Sequence, residues 1–180
     1  MKRKMMHVAM AVILWTSLFF IWAQNIQAQV IARVSVSSDG TEGNGDSFTP
    51  SMSADGRFVL IRSSAGNLAP GGRNGFINLY VHDRDNDGDG NFDEVNEAGA
   101  IETTLVISLS DDISAPAAIS ADGRFVVFAS LDDSIHFADT NESHDIFLRE
   151  LATGQTTLVS VHTDGTQGNA YSTQPSISGD

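Results

Sequence analysis

The sequence contains no cysteine, so no disulfide can brace the fold once it leaves the cytoplasm. Basic residues are few: ten lysines and arginines stand against 23 aspartates and glutamates, for a formal net charge of −13. Three of those ten are Lys2, Arg3 and Lys4, so the rest of the chain is more acidic still. Binding nucleic acid through its phosphates is thereby disfavoured. The chain has one long apolar run, Val8 to Trp22, shorter than the ~20 residues a membrane-spanning helix needs. Beyond it, no long stretch has helical periodicity. What is present is a 41% apolar composition, enough for the core of one globular domain.

The N-terminus orders its residues as a secretory signal does. The basic triplet leads into the apolar run, and a polar segment follows that ends in Ile26, Gln27 and Ala28. Cleavage after Ala28 is expected, giving a mature chain from Gln29 that is exported to the periplasm, the cell surface or the medium. Such a chain keeps no stable membrane span. An uncleaved run would instead hold it at the inner membrane.

Self-comparison reveals a repeat. Ser53-Ala54-Asp55-Gly56-Arg57-Phe58-Val59 returns as Ser120-Ala121-Asp122-Gly123-Arg124-Phe125-Val126, and Ser178-Gly179-Asp180 opens a third copy. Alternating segments precede the copies at residues 33–37, 105–109 and 158–162. The first and third of these run into matching Asp-Gly-Thr turns, Asp39-Gly40-Thr41 and Asp164-Gly165-Thr166, whereas the second has a shorter loop. Within each unit, short alternating or apolar runs are separated by Gly, Asn, Asp and Pro, the grammar of strands and turns. The predicted strands are 50–54, 57–63, 77–83 and 103–109, then 116–121, 124–130, 144–150 and 156–162. Asp55-Gly56 and Asp122-Gly123 are hairpin turns, and Thr153-Gly154 serves similarly between the last two strands.

Four-stranded antiparallel units repeated in this way are the sequence form of propeller blades. The Ser-Ala-Asp-Gly-Arg-Phe-Val unit, followed later by Asp145-Ile146-Phe147-Leu148-Arg149, resembles the TolB-like family of WD-type propeller repeats across residues 30–180. The fold class this implies is all-β, with two blades and the start of a third in residues 29–180. Sialidase Asp-boxes are similar on the surface but separate Asp from Gly by one residue. If residues 30–37 form the outermost strand of a blade, their partners must come from elsewhere in a ring. The chain is therefore expected to be the N-terminal part of a longer ring, since a lone repeat cannot bury both of its faces.

The first unit connects its last two strands through residues 84–102, where the second uses only Leu151 to Gln155. The longer loop resembles the calcium loops of EF-hands, dockerins and integrin-type propellers. Calcium takes six to eight hard oxygen ligands, and carboxylates at every second residue with a glycine at the bend can wrap one ion. One register starts at Asp83 and uses Asp83, Asp85, Asp87, the backbone of Asp89, Asn91 and Glu94. The other, which we favour, starts at Asp85 and uses Asp85, Asp87, Asp89, the backbone of Asn91 and Asp93, with Asn96, Glu94 or Glu97 completing the shell. It sets apolar Phe92 just before the ninth position. A solvated acidic turn is the plain alternative, because Asp, Asn and Gly suit any exposed loop.

Other polar residues carry less. His136 and His144 bracket Asp139, Asn141 and Glu142, but their spacing matches no metal motif, and they are expected in an ordinary surface loop. His82 and His162 are expected in strands, facing solvent or partly packed. No serine lies in Gly-x-Ser-x-Gly, and no catalytic set can be assembled by spacing. The loop 67–74 and the Asp-Gly-Thr turns would share one face of a propeller, the usual place for a ligand. Two functions follow: a non-catalytic, calcium-stabilised binding or scaffold module for an unidentified protein or small molecule, or the propeller that precedes the hydrolase domain of a prolyl-oligopeptidase-like enzyme.

Overall fold

The computed structural model describes residues 31–94, 99–109 and 116–179. The signal segment 1–28 lies outside them, as do Asn96 and Glu97. Residues from Arg33 onward form one compact unit. It is all-β: two four-stranded antiparallel sheets, with no α-helix among the described residues.

The first sheet runs in chain order through β1 (Ser47–Met52), β2 (Phe58–Ser63), β3 (Ile77–Asp83) and β4 (Glu102–Leu109). The second is built alike from β5 (Ala117–Ile119), β6 (Phe125–Ser130), β7 (Asp145–Glu150) and β8 (Thr156–Leu158). Each resembles a propeller blade in size and order. Pro50 is tolerated because β1 is an edge strand, and it sits where the register with β2 slips between Phe48 and Ser51.

The repeated motif forms the same turn twice. Gly56 and Gly123 take φ of 79° and 71°, a left-handed bend that glycine adopts freely. Their N–H groups donate to the carbonyls of Ser53 and Ser120 at 3.1 and 3.0 Å. The serine hydroxyl donates to the aspartate, Ser53 to Asp55 at 2.6 Å and Ser120 to Asp122 at 2.5 Å. It also accepts from the N–H of Phe58 or Phe125. The arginine after each turn reaches the end of the third strand, Arg57 to Asp83 and Arg124 to Glu150.

Every residue of β3 is buried, so this strand is covered on both faces. Ile77, Leu79 and Val81 share one core with Leu60 and Val106 of their own sheet and with Ile119, Val126, Phe128, Phe147 and Leu158 of the second. Phe128 and Phe147 stack at 5.6 Å within it. Tyr80 joins Ala65, Leu68 and Ala69 in a smaller cluster, where the loop after β2 folds over the sheet. The sheets also meet through polar groups: the Ala54 N–H donates to the Ala121 carbonyl at 2.9 Å, and the Ile119 N–H to the Ser51 hydroxyl.

Within this chain, residues 31–37 make a single bridge, Val36 to Glu42, beside the turn at Gly40. The segment lies on the first sheet, where the Thr103 hydroxyl donates to the Val36 carbonyl at 2.6 Å. One expectation is corrected: the last predicted strand, 156–162, stops at Leu158, and Val161 turns back to bridge Gln167 in the matching Asp-Gly-Thr turn.

Candidate metal centre

Strand β3 delivers the acidic segment at its C-terminal end, and the structure divides the predicted ligands into two groups. Asp83 is taken by Arg57, whose guanidinium donates to both carboxylate oxygens at 2.8 and 2.7 Å. Asp93 is taken by Arg84 in the same bidentate way, at 2.9 and 2.5 Å. Arg84 also donates to the Gly56 carbonyl and lies 4.8 Å over the Phe92 ring, so Phe92 and Asp93 clamp the base of the loop rather than its tip.

Between the clamps, Asp85, Asp87 and Asp89 each bring a carboxylate oxygen within 4.8 Å of the others. This cluster could hold a metal ion. Asp85 is buried at 7% exposure, and both its oxygens accept from the Gly90 N–H at 3.2 and 3.3 Å. Asp87 and Asp89 are exposed. Gly88 and Gly90 bend the chain at φ of 76° and 88°, and the Gly88 N–H donates to the Asp85 carbonyl. Asn91 turns inward on the cluster, donating from its backbone and its side chain to Asp89 at 2.7 and 2.8 Å. Glu94 is half-buried where the segment leaves the loop. Three carboxylates this close repel one another, and a cation relieves that repulsion while supplying what the oxygens lack.

A second feature lies where the first Asp-Gly-Thr turn and the loop after β2 meet over the first sheet. A cleft of about 550 Å³ is lined by Ser37, Ser38 and Asp39 of the first Asp-Gly-Thr turn and by residues 66–71 of the loop after β2. The two loops do meet: Asn67 Nδ2 donates to the Glu42 carbonyl, and the Asn44 N–H to Asn67 Oδ1. At the rim, the Ser37 hydroxyl and Thr41 hold the Asp39 carboxyl down at about 2, so it is charged at any ordinary pH.

The histidines depart from expectation. His82 is buried at 1% exposure, and its Nδ1 lies 2.8 Å from the Thr103 hydroxyl. That hydroxyl spends its proton on Val36, so His82 Nδ1–H is the donor. Burial pushes its pKa down. His162 lies in a turn, not a strand. Asp139, expected on the surface, is 4% exposed, and neighbouring Asp145 is fully buried.

The fold defines a repeat-built all-β protein of blade-like sheets. No family model matches the chain, and no curated protein matches it. Among solved structures it shows distant similarity to TolB from Acinetobacter baumannii, with 13% identity and a TM-score of 0.39. That match covers 67% of this chain and 22% of TolB, so the chain spans less than a quarter of TolB's length.

Proposed function

We propose that this chain is an exported β-propeller module that binds or displays a partner without transforming it, and that calcium staples its first sheet. The observation that carries the reading is the grouping of Asp85, Asp87 and Asp89 in the loop that joins β3 to β4, apart from the cleft lined by residues 37–39 and 66–71. An ion in the acidic loop fixes the β3–β4 hairpin, and the cleft is left to meet a protein or small molecule.

All-oxygen ligands and a flexible glycine-containing loop favour calcium over magnesium, which demands a tighter octahedral shell. Affinity on the order of 10⁻⁴–10⁻³ M suits a module working where calcium is plentiful. The test is hydrogen exchange of the full chain with calcium and with chelator. Calcium is expected to slow exchange across residues 84–101, and Asp87→Ala with Asp89→Ala is expected to remove that protection. Exchange in this segment that ignores millimolar calcium would leave a solvated turn in its place.

A further inference from the structure

The loop between the second and third strands has equal length in both sheets. Ser63 faces Asn78 in the first, and Ser130 faces Asp145 in the second, so their residues correspond one to one. The Asp-Gly-Thr turns correspond as well, since Val36 bridges Glu42 as Val161 bridges Gln167. Three positions change chemistry together between the copies: Gly72, Asn78 and Glu42 become Asp139, Asp145 and Gln167.

In the first sheet the two loop positions carry no charge. The Asn78 amide is fully buried and lies within bonding distance of the carbonyls of Ala65, Arg73 and Phe76, at 3.1, 2.9 and 3.1 Å. Gly72 lies under the Tyr80 hydroxyl, where a Cβ would stand 2.1 Å from the oxygen. The charge is on Glu42, exposed and paired with Arg33.

The second sheet reverses this arrangement: Asp139 and Asp145 are buried, and the turn supplies an amide. Gln167 Nε2 donates to Asp139 Oδ1 at 2.5 Å and to Asp145 Oδ2 at 2.9 Å, while its Oε1 accepts from the Thr140 N–H and hydroxyl. The other oxygen of Asp145 accepts from the Ser160 hydroxyl at 2.5 Å, so both are satisfied. Oδ2 of Asp139 is buried with no hydrogen-bond partner among the described residues. No lysine or arginine among those residues forms an ion pair with either carboxylate. The titratable groups around Asp139 are Asp145 at the start of β7, Asp133 and Glu142 of its own loop, and His136, whose carbonyl accepts from the Asp139 N–H. His144 adjoins Asp145, and the His162–Asp164 pair lies in the turn. Burial first, then the charges of Asp145 and Asp133, push the Asp139 pKa up against the pull of the Gln167 bond. A buried carboxylate with an empty oxygen is costly, and a proton on that oxygen removes the charge.

We propose that Asp139 is an acid latch: protonated, it lets the Asp-Gly-Thr turn of the second unit close through Gln167 on the loop after β6, and ionised, it makes that turn open. The turn is the element that gives way, because β7 is held on both sides by β6 and β8. The turn is tied to this loop by Gln167 and by the Asn141 amide on the Gly168 carbonyl. Lifting it gives water access to Oδ2. The folded state binds the proton more tightly than the unfolded chain does. The stability this group contributes is therefore complete below the ordinary 3.8 and is lost as pH rises through the higher folded value. The latch does not depend on an ion in the acidic loop.

The test compares the full chain with Asp139→Asn, which puts a neutral group of the same shape at this place. Every other titrating group, His82 included, is common to both chains and cancels in the difference. The variant is expected to melt higher than the parent at about pH 7.5, with the gap closing toward about pH 4. Hydrogen exchange, corrected for the intrinsic rate at each pH, is expected to show residues 162–168 of the parent at least about threefold better protected at about pH 4.5 than at about pH 7.5, and equally protected at both in the variant. Carbon-13 spectra of the parent alone read the Asp139 carboxyl directly and decide the matter even if the variant fails to fold: titration above 3.8 is expected. A melting gap that does not change with pH, turn protection in the parent that ignores pH, or a carboxyl titrating at or below 3.8 would each overturn the latch.

Discussion

Gly123 of the second repeat turn sits against the Phe58 ring of the first sheet, so closely that a Cβ built on it would stand 2.2 Å from the ring. The glycine thus serves two ends, the left-handed bend of its own hairpin and the close approach of neighbouring sheets.

Gly123→Ala is expected to cost roughly 2–5 kcal/mol, the sum of left-handed strain and overpacking. Gly165→Ala is the control: its φ is 86°, but nothing lies within 4 Å of a Cβ there, so only the strain of roughly 1–2 kcal/mol applies. Urea melts of both variants measure the difference. Equal losses would show that the Phe58 contact carries no energy.

The two arginine pairs should differ in worth. Arg57 and Asp83 side chains are 30% and 13% exposed and joined by two short bonds, and Arg57 also lies 4.9 Å over the Phe58 ring. Arg124 is 63% exposed, and its bond to Glu150 is 3.5 Å. Arg57→Ala is expected to lower stability by on the order of 2 kcal/mol, and Arg124→Ala by less than about 1 kcal/mol, in the same melts.

His82 gives a pH dependence with a definite sign. Its folded pKa lies below the ordinary 6.5, so the unfolded chain binds the extra proton first as pH falls. The stability it contributes is complete above 6.5 and is lost as pH drops through that value toward its folded pKa. Melting temperatures between about pH 7.5 and 5 should therefore fall, and His82→Gln should flatten the descent. A variant with the parent's slope would place the acid sensitivity elsewhere.

Strands β2 and β3 were legible within a residue because an apolar run bounded by Gly and Asp has few other ways to pair. The Asp85, Asp87 and Asp89 spacing was likewise visible, since alternate carboxylates around a glycine bend are a local property. The capture of Asp83 and Asp93 was not legible, because each arginine partner is chosen by strand register and by the path of the loop. Asp139 looked like a surface residue because its burial depends on a turn more than twenty positions away, through Gln167. A position-by-position comparison of the two copies would have exposed it, since glycine exchanges there for a charge.

The two sheets match in length through the loop after the second strand and differ at the hairpin that follows, 84–101 against Leu151–Gln155. Core contacts between the sheets run mainly through the strands, with Leu151 of the short hairpin packed against them and the Asp-Gly turns adding the close approach at Gly123, so a change in hairpin length beyond Leu151 passes no strain to the neighbouring sheet. Divergence between duplicated units is thereby given a direction. One rim of the stack is held to a fixed pattern, while the other can gain or lose whole loops, which makes the short turn at Thr153 a natural socket for grafted segments.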